Sequence, residues 1–183
     1  PDEGAMSRCM YYSSVLGLDI GMFYKRRNYS IVINGRNPIE AHEYLGQDLH
    51  GKDAIVVDDM ISSGESMLDV CRQLKEKGAN RVFCFATFGL FTDGCDKFDQ
   101  AASEKVFDKV FTTNLTYRRP ELASKSWYVE VNMCKYVAYL IDTLNNDETI
   151  SALLNPVKRI QTLMDKHRSA QASQMKMEFE DQN

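Results

Sequence analysis

The run Ala54-Ile55-Val56-Val57 stops at two consecutive acids, Asp58 and Asp59. A short apolar run between polar neighbours is the pattern of a strand buried on both faces. Ser62-Ser63-Gly64 follows as a turn, and Met67, Val70, Cys71 and Leu74 then recur at helical spacing between Glu65 and Lys77. Gly78 supplies the stop. Residues 81–86 are apolar again and read as a second buried strand. Residues 54–86 are therefore one strand–helix–strand unit, and two strands joined by a crossover helix run parallel. This unit is the building block of an α/β fold.

The rest of the chain is consistent with such a fold. Met6, Cys9, Met10, Val15 and Leu16 predict a helix over residues 5–16 that Gly17 ends. Residues 18–24 read as a strand before the cluster Lys25-Arg26-Arg27, and residues 25–51 hold no sustained period. So long a connection reads as a lid or binding loop. Strands are expected at 106–112 and 127–131, and helices at 133–144, 150–154 and 156–167, the last with Pro156 in its first turn. Residues 169–183 read as a frayed helix or tail. The start at Pro1-Asp2-Glu3-Gly4, without Met, makes a piece of a longer protein the expectation, with residues 1–168 as its domain.

Composition narrows the function classes. The 183 residues are 44% hydrophobic and carry 22 basic against 26 acidic side chains, a net charge of −4. A nucleic-acid partner would call for a basic excess. No apolar run approaches the roughly 18 residues that cross a bilayer, and with no charged-then-apolar stretch among the first residues a secreted protein is not the expectation. The five cysteines are scattered without a CxxC and read as reduced, mostly buried thiols of a cytoplasmic protein.

The chemistry concentrates after the first strand of the unit. Asp58 and Asp59 close it at its carboxyl end, where open α/β sheets bind ligands. Ser62, Ser63, Gly64, Glu65 and Ser66 lead into a helix N-terminus, whose amides and dipole suit a phosphate. Carboxylates accept hydrogen bonds from vicinal sugar hydroxyls, so this segment offers ends for both halves of a sugar phosphate. The competing reading makes the same acids and serines caps of the helix. Lys25, Arg26 and Arg27 suit charge on a transferring phosphoryl group, or form a solvated surface cluster. Asp2 and Glu3 read either as metal-coordinating acids or as helix N-terminal acids. His42, His50 and His167 share no ligand spacing with the cysteines, which argues against zinc. GxxxxGK[ST] and GxGxxG motifs are absent.

Several segments together resemble the C-terminal half of the ribose-phosphate pyrophosphokinases. Pro1-Asp2-Glu3-Gly4-Ala5 with Arg8 is similar to the family's P-D-x-G-x-x-x-R segment, and Lys25-Arg26-Arg27 to the start of its flexible catalytic loop. Gly51-Lys52-Asp53 through Asp59 is similar to its ribose-phosphate strand and acid pair, while Thr87-Phe88-Gly89-Leu90-Phe91 and Thr113-Asn114 fall at related turns. The resemblance implies a type I phosphoribosyltransferase-like domain, a mainly parallel sheet flanked by helices. It implies transfer of the diphosphoryl group of Mg-ATP to the C1 hydroxyl of ribose 5-phosphate, for nucleotide biosynthesis. By position, Asp58 and Asp59 would hold the ribose hydroxyls, and Ser62, Ser63, Gly64, Glu65 and Ser66 would wrap the 5-phosphate. Lys25 and Arg27 would steady the transition state, and Asp2 would contact Mg²⁺. The family also implies a homo-oligomer, phosphate as an effector, and an N-terminal half that supplies most of the ATP site. Without that half the chain is expected to be inactive.

Three positions depart from the family pattern. Ser62 replaces an acid, Glu65 stands where glycine is usual, and Phe88 replaces a usual histidine. A carboxylate facing a phosphate is repulsive, so Glu65 must turn outward, cap the helix or weaken binding. The Ser-Ser-Gly-x-Ser form is closer to the loop of true phosphoribosyltransferases. Two alternatives therefore stay open, a phosphoribosyltransferase and a non-catalytic ribose-phosphate-binding regulatory paralogue.

Overall fold

The computed structural model describes residues 5–27 and 39–180 of the chain. They divide between two compact units. One holds residues 5–10, 19–27 and 39–135, the other residues 11–18 and 136–180.

The first unit is built on a four-stranded parallel sheet in sequence order: β3 (Ala54–Ile61), β4 (Val82–Gly89), β5 (Lys109–Thr113) and β6 (Tyr128–Val131). Val56 pairs with Cys84, Cys84 with Val110, and Val110 with Tyr128, all in parallel register. Helix α2 (Glu65–Glu76) makes the crossover between β3 and β4, and α3 (Asp96–Ser103) the next one. The stripe expected on α2 is its buried face, with Leu68 added. It packs with Val56, Val82, Cys84 and Val110 of the sheet and Phe98 of α3 in one core. The architecture is thus α/β with a parallel sheet flanked by helices. Gly78 ends α2 at φ +89°, and a Cβ there would meet His50 Nδ1 at 2.7 Å, so left-handed backbone and close packing both require glycine.

The double-sided burial expected for β3 does not occur. Val56 is buried but Ile55 is 47% exposed. Among the described residues β3 lies at the edge of its sheet, where Val56 packs into the core on the face it shares with Cys84 and Ile61 joins the core at the end of the strand. On the other face the Phe85 and Phe111 rings stack at 4.5 Å on neighbouring strands.

A second correction concerns residues 18–51. The strand β1 spans Met22–Arg27 rather than 18–24, and β2 (Ile39–Leu45) pairs with it antiparallel. Part of the expected loop is therefore sheet. The partner sets the bounds: Met22 faces Leu45, and just outside that pair the Tyr44 ring occupies the space over Gly21 and Gly46. Phe23, buried, meets the Tyr44 ring at 5.2 Å, and Lys77 at the end of α2 sits 5.7 Å over that ring.

The second unit is helical. It contains most of α4 (Cys134–Asn145), then α5 (Ser151–Leu154) and α6 (Val157–Glu180), which starts directly after Pro156. The helix continues past residue 168, through most of the stretch expected to fray. Helix α1 (Met6–Leu16) begins in the first unit and ends in the second, closing on Leu18 N–H to Ser13 C=O at 3.0 Å around Gly17 at φ +68°.

Candidate functional site

The parallel sheet brings the carboxyl ends of β3, β4, β5 and β6 to one edge, and the expected acids stand there. Asp58 shares its face with Ala86 of β4 and is partly enclosed; Asp59 is exposed. Asp58 Oδ1 accepts the Asp59 backbone N–H at 2.9 Å. Arg8 of α1 reaches both acids, with Nη1 3.5 Å from Asp58 Oδ1 and Nη2 3.7 Å from Asp59 Oδ2. Burial pushes the Asp58 carboxyl above the usual carboxylate range. Hydrogen bonding with Asp58 holds Asp59 below it, and the Arg8 charge acts in the same direction.

After Ile61 the chain turns through Ser62 and Ser63 to Gly64, the N-cap residue of α2. Neither serine stands at the cap, which removes the reading in which they serve only as N-caps. Gly64 has φ +85°, and a Cβ would lie 2.3 Å from the Phe98 ring. The turn is thus pressed onto α3. Its outer side is held by Thr92 N–H to Ser62 C=O at 3.0 Å and Leu90 N–H to Ile61 C=O at 2.9 Å, both from the segment after β4. Ser62 and Ser66 are exposed and Ser63 is half-buried.

Of the three outcomes open to Glu65, the structure takes the outward one. Glu65 Oε1 receives a hydrogen bond from Lys97 Nζ at 2.6 Å, and Asp93 lies 3.4 Å from the same nitrogen. Glu65 and Lys97 line a shallow groove between α2 and α3 together with Leu68, Asp69, Arg72 and Gln100. Hydrogen bonding to Glu65 raises the Lys97 ammonium above its ordinary value.

Along the rest of the edge, Thr113 Oγ1 donates to Thr87 C=O at 2.6 Å, and Asn114 Oδ1 accepts Met133 N–H at 2.8 Å. Phe88 pairs in register with Met60, and both are exposed. Lys25 and Arg27 stand on β1 rather than in a loop, opposite His42 and Ile39 with a register shift after Arg26. Only their backbone positions are described. Asp2 lies outside the described residues. Lys97 was not among the candidates, because nothing in its local sequence marks it; its partner is thirty-two residues earlier.

Comparison with known proteins places the chain in a family. The pattern of the family described as phosphoribosyl synthetase-associated domain matches residues 34–155. A ribose-phosphate pyrophosphokinase of Vibrio cholerae is 31% identical over 156 residues, 85% of this chain and 46% of that protein. Another, from Pyrococcus abyssi, is 31% identical over 117 residues, 63% of this chain and 39% of that protein. The chain spans about half the length, or less, of these curated relatives. The crystal structure of phosphoribosylpyrophosphate synthetase from Mycobacterium smegmatis superposes with a TM-score of 0.65 at 21% identity, over 80% of this chain and 44% of that one, a likeness of fold. With a family pattern that covers more than half its residues and an α/β fold shared with a solved synthetase, the chain belongs to the phosphoribosyl synthetase-associated domain family.

Proposed function

We propose that the chain is the C-terminal catalytic domain of a cytoplasmic, homo-oligomeric ribose-phosphate diphosphokinase. In this reading the C1 oxygen of ribose 5-phosphate forms a bond to the β-phosphorus of ATP as the α–β bridge breaks, AMP leaves and the hydroxyl proton is lost. Asp58 and Asp59 accept the vicinal ribose hydroxyls. Ser62, Ser63, Gly64, Glu65 and Ser66 surround the 5-phosphate, which the N-terminal amides of α2 receive. Lys25 and Arg27 balance charge on the transferring group. Asp2 and the substrate phosphates would hold Mg²⁺, which would supply further charge neutralisation there. ATP is bound mostly by an N-terminal half, so the chain alone is inactive, and inorganic phosphate is an effector.

The observation that carries the reading is the acid pair in the carboxyl-terminal half of β3, which runs on through Ile61 before a short turn leads to the N-terminus of α2. That spacing serves a molecule with a diol at one end and a phosphate at the other. Calorimetric titration with ribose 5-phosphate and with phosphoribosyl pyrophosphate, both with Mg²⁺, tests it. Binding that disappears in D58N/D59N is expected. No heat from either ligand in the chain joined to its N-terminal half would overturn it.

Glu65 favours a second reading, a regulatory paralogue that binds ribose phosphates without transferring anything. Its carboxylate begins the helix that receives the phosphate. Binding by the full-length protein with no ATP-dependent synthesis would select it.

A further inference from the structure

We propose that Arg8 is a positioning residue that reserves the Asp58–Asp59 pair for the hydroxyls of a neutral polyol and keeps hard divalent cations out of it. The inference rests on the reading of that pair as a sugar site and names what makes it selective.

Two consecutive carboxylates at a strand end, one exposed and one partly so, have the charge and oxygen chemistry that a hard divalent cation takes. A neutral diol is a much weaker competitor for the same oxygens. Something must remove the advantage of the cation if the pair is to receive a sugar. Arg8 is placed to do so, because its two terminal nitrogens each face a different carboxylate, at 3.5 and 3.7 Å. The fork straddles the pair and lowers its charge from −2 to −1, and an incoming cation meets a like charge.

The distances matter as much as the sign. Charge-assisted hydrogen bonds from guanidinium to carboxylate close to about 2.7–2.9 Å, and neither contact does. Arg8 therefore balances charge without taking up the acceptor positions. The oxygens stay available to hydroxyl donors, apart from the Asp58 lone pair that receives the Asp59 N–H and fixes that side chain. Arginine suits the task because it stays charged at any working pH, is weakly hydrated and spans two groups in one plane. The arrangement also joins α1 to the end of β3, so the acids are oriented before any ligand arrives.

The test uses Mn²⁺ as the hard cation, followed by the electron paramagnetic resonance signal of the free ion, with ribose 5-phosphate titrated in parallel. R8Q and R8M both remove the charge, and R8M keeps the unbranched stem; circular dichroism checks their fold. Each is expected to take up an extra Mn²⁺ per chain compared with the wild type, and to bind ribose 5-phosphate about three- to tenfold more weakly. The extra Mn²⁺ should vanish in R8Q/D58N/D59N, and R8K, which keeps the charge, should exclude Mn²⁺ as the wild type does. Unchanged Mn²⁺ uptake in R8Q and R8M overturns the proposal. So does extra uptake that survives D58N/D59N, or that R8K shows equally. The Mn²⁺ measurement needs no sugar, so a wild-type chain joined to its N-terminal half that ignores ribose 5-phosphate while R8Q gains Mn²⁺ at the acids would reject the sugar reading alone.

Discussion

Glu65 Oε1 lies 2.6 Å from Lys97 Nζ, and this contact joins the first carboxylate of α2 to α3. Without the ammonium, the carboxylate is free to swing toward the turn, where it repels a phosphate. K97M should therefore weaken ribose 5-phosphate binding by about two- to fivefold, in keeping with an exposed ion pair. E65G should strengthen it, and K97M added to E65G should change little more. Calorimetry on the four proteins closes the cycle; equal losses from K97M with and without Glu65 would show that Lys97 does not act through it.

Gly64 and Gly94 share a left-handed backbone, at φ +85° and +83°, and differ in the space around them. A Cβ at Gly94 meets nothing within 4 Å, whereas one at Gly64 lies 2.3 Å from two atoms of the Phe98 ring. G94A should cost only the backbone term, about 1–2 kcal/mol. G64A should cost that plus about 1–3 kcal/mol for overpacking against a fully buried aromatic. Urea unfolding midpoints of the two variants give the difference directly; similar midpoints would mean that the turn does not press on α3.

The β3–α2–β4 unit was legible because each of its signals is local: an apolar run, a stripe at helical period, and a glycine at the helix end. What stayed out of reach depends on neighbours distant in sequence. Four apolar residues cannot tell an edge strand from a central one, so the exposure of Ile55 follows only from the strand order. Strand β2 was read as loop because Ile39-Glu40-Ala41-His42-Glu43-Tyr44-Leu45 has too weak an alternation to announce itself. It exists as a strand through its pairing with β1 and the contact of Tyr44 with Phe23. Position alone singles out the acids and the serine turn as candidates, but the ion partners of Asp58, Asp59 and Glu65 come from other helices.

Asp53, just before β3, accepts hydrogen bonds from Arg81 Nε and Asn80 Nδ2, each at 3.0 Å. The Arg81 guanidinium holds its carboxyl below the ordinary value of 3.8. A carboxyl depressed in the folded state contributes stability that is fully present above its unfolded pKa and is lost as pH falls through the folded one. The melting temperature should therefore drop from about pH 4 downward, and the drop should be shallower in D53N. At pH 7, D53N should melt below the wild type. Parallel pH profiles for the two proteins would show that the pair is not closed in solution.

The cysteines separate by access. Cys71 and Cys84 are fully buried between α2 and β4, with their sulfurs 3.3 Å apart, and Cys95 is buried beside α3. Burial raises the Cys95 thiol to about 11, and the hydrogen bond with Cys71 together with burial pushes Cys84 up as well. Cys84 and Cys95 therefore present almost no thiolate at neutral pH, and burial leaves none of the three a path for a reagent. Cys134 is exposed and Cys9 partly so. An aromatic disulfide reagent at pH 8 should therefore modify Cys134 first and Cys9 more slowly. Cys71, Cys84 and Cys95 should react only at the rate of global unfolding, and denaturant should release all three together. C134S should remove the fast phase entirely. A fast phase that survives C134S, or early modification of Cys71 or Cys84, would mean that α2 lifts from the sheet in the native state, and the core drawn here would not be the one in solution.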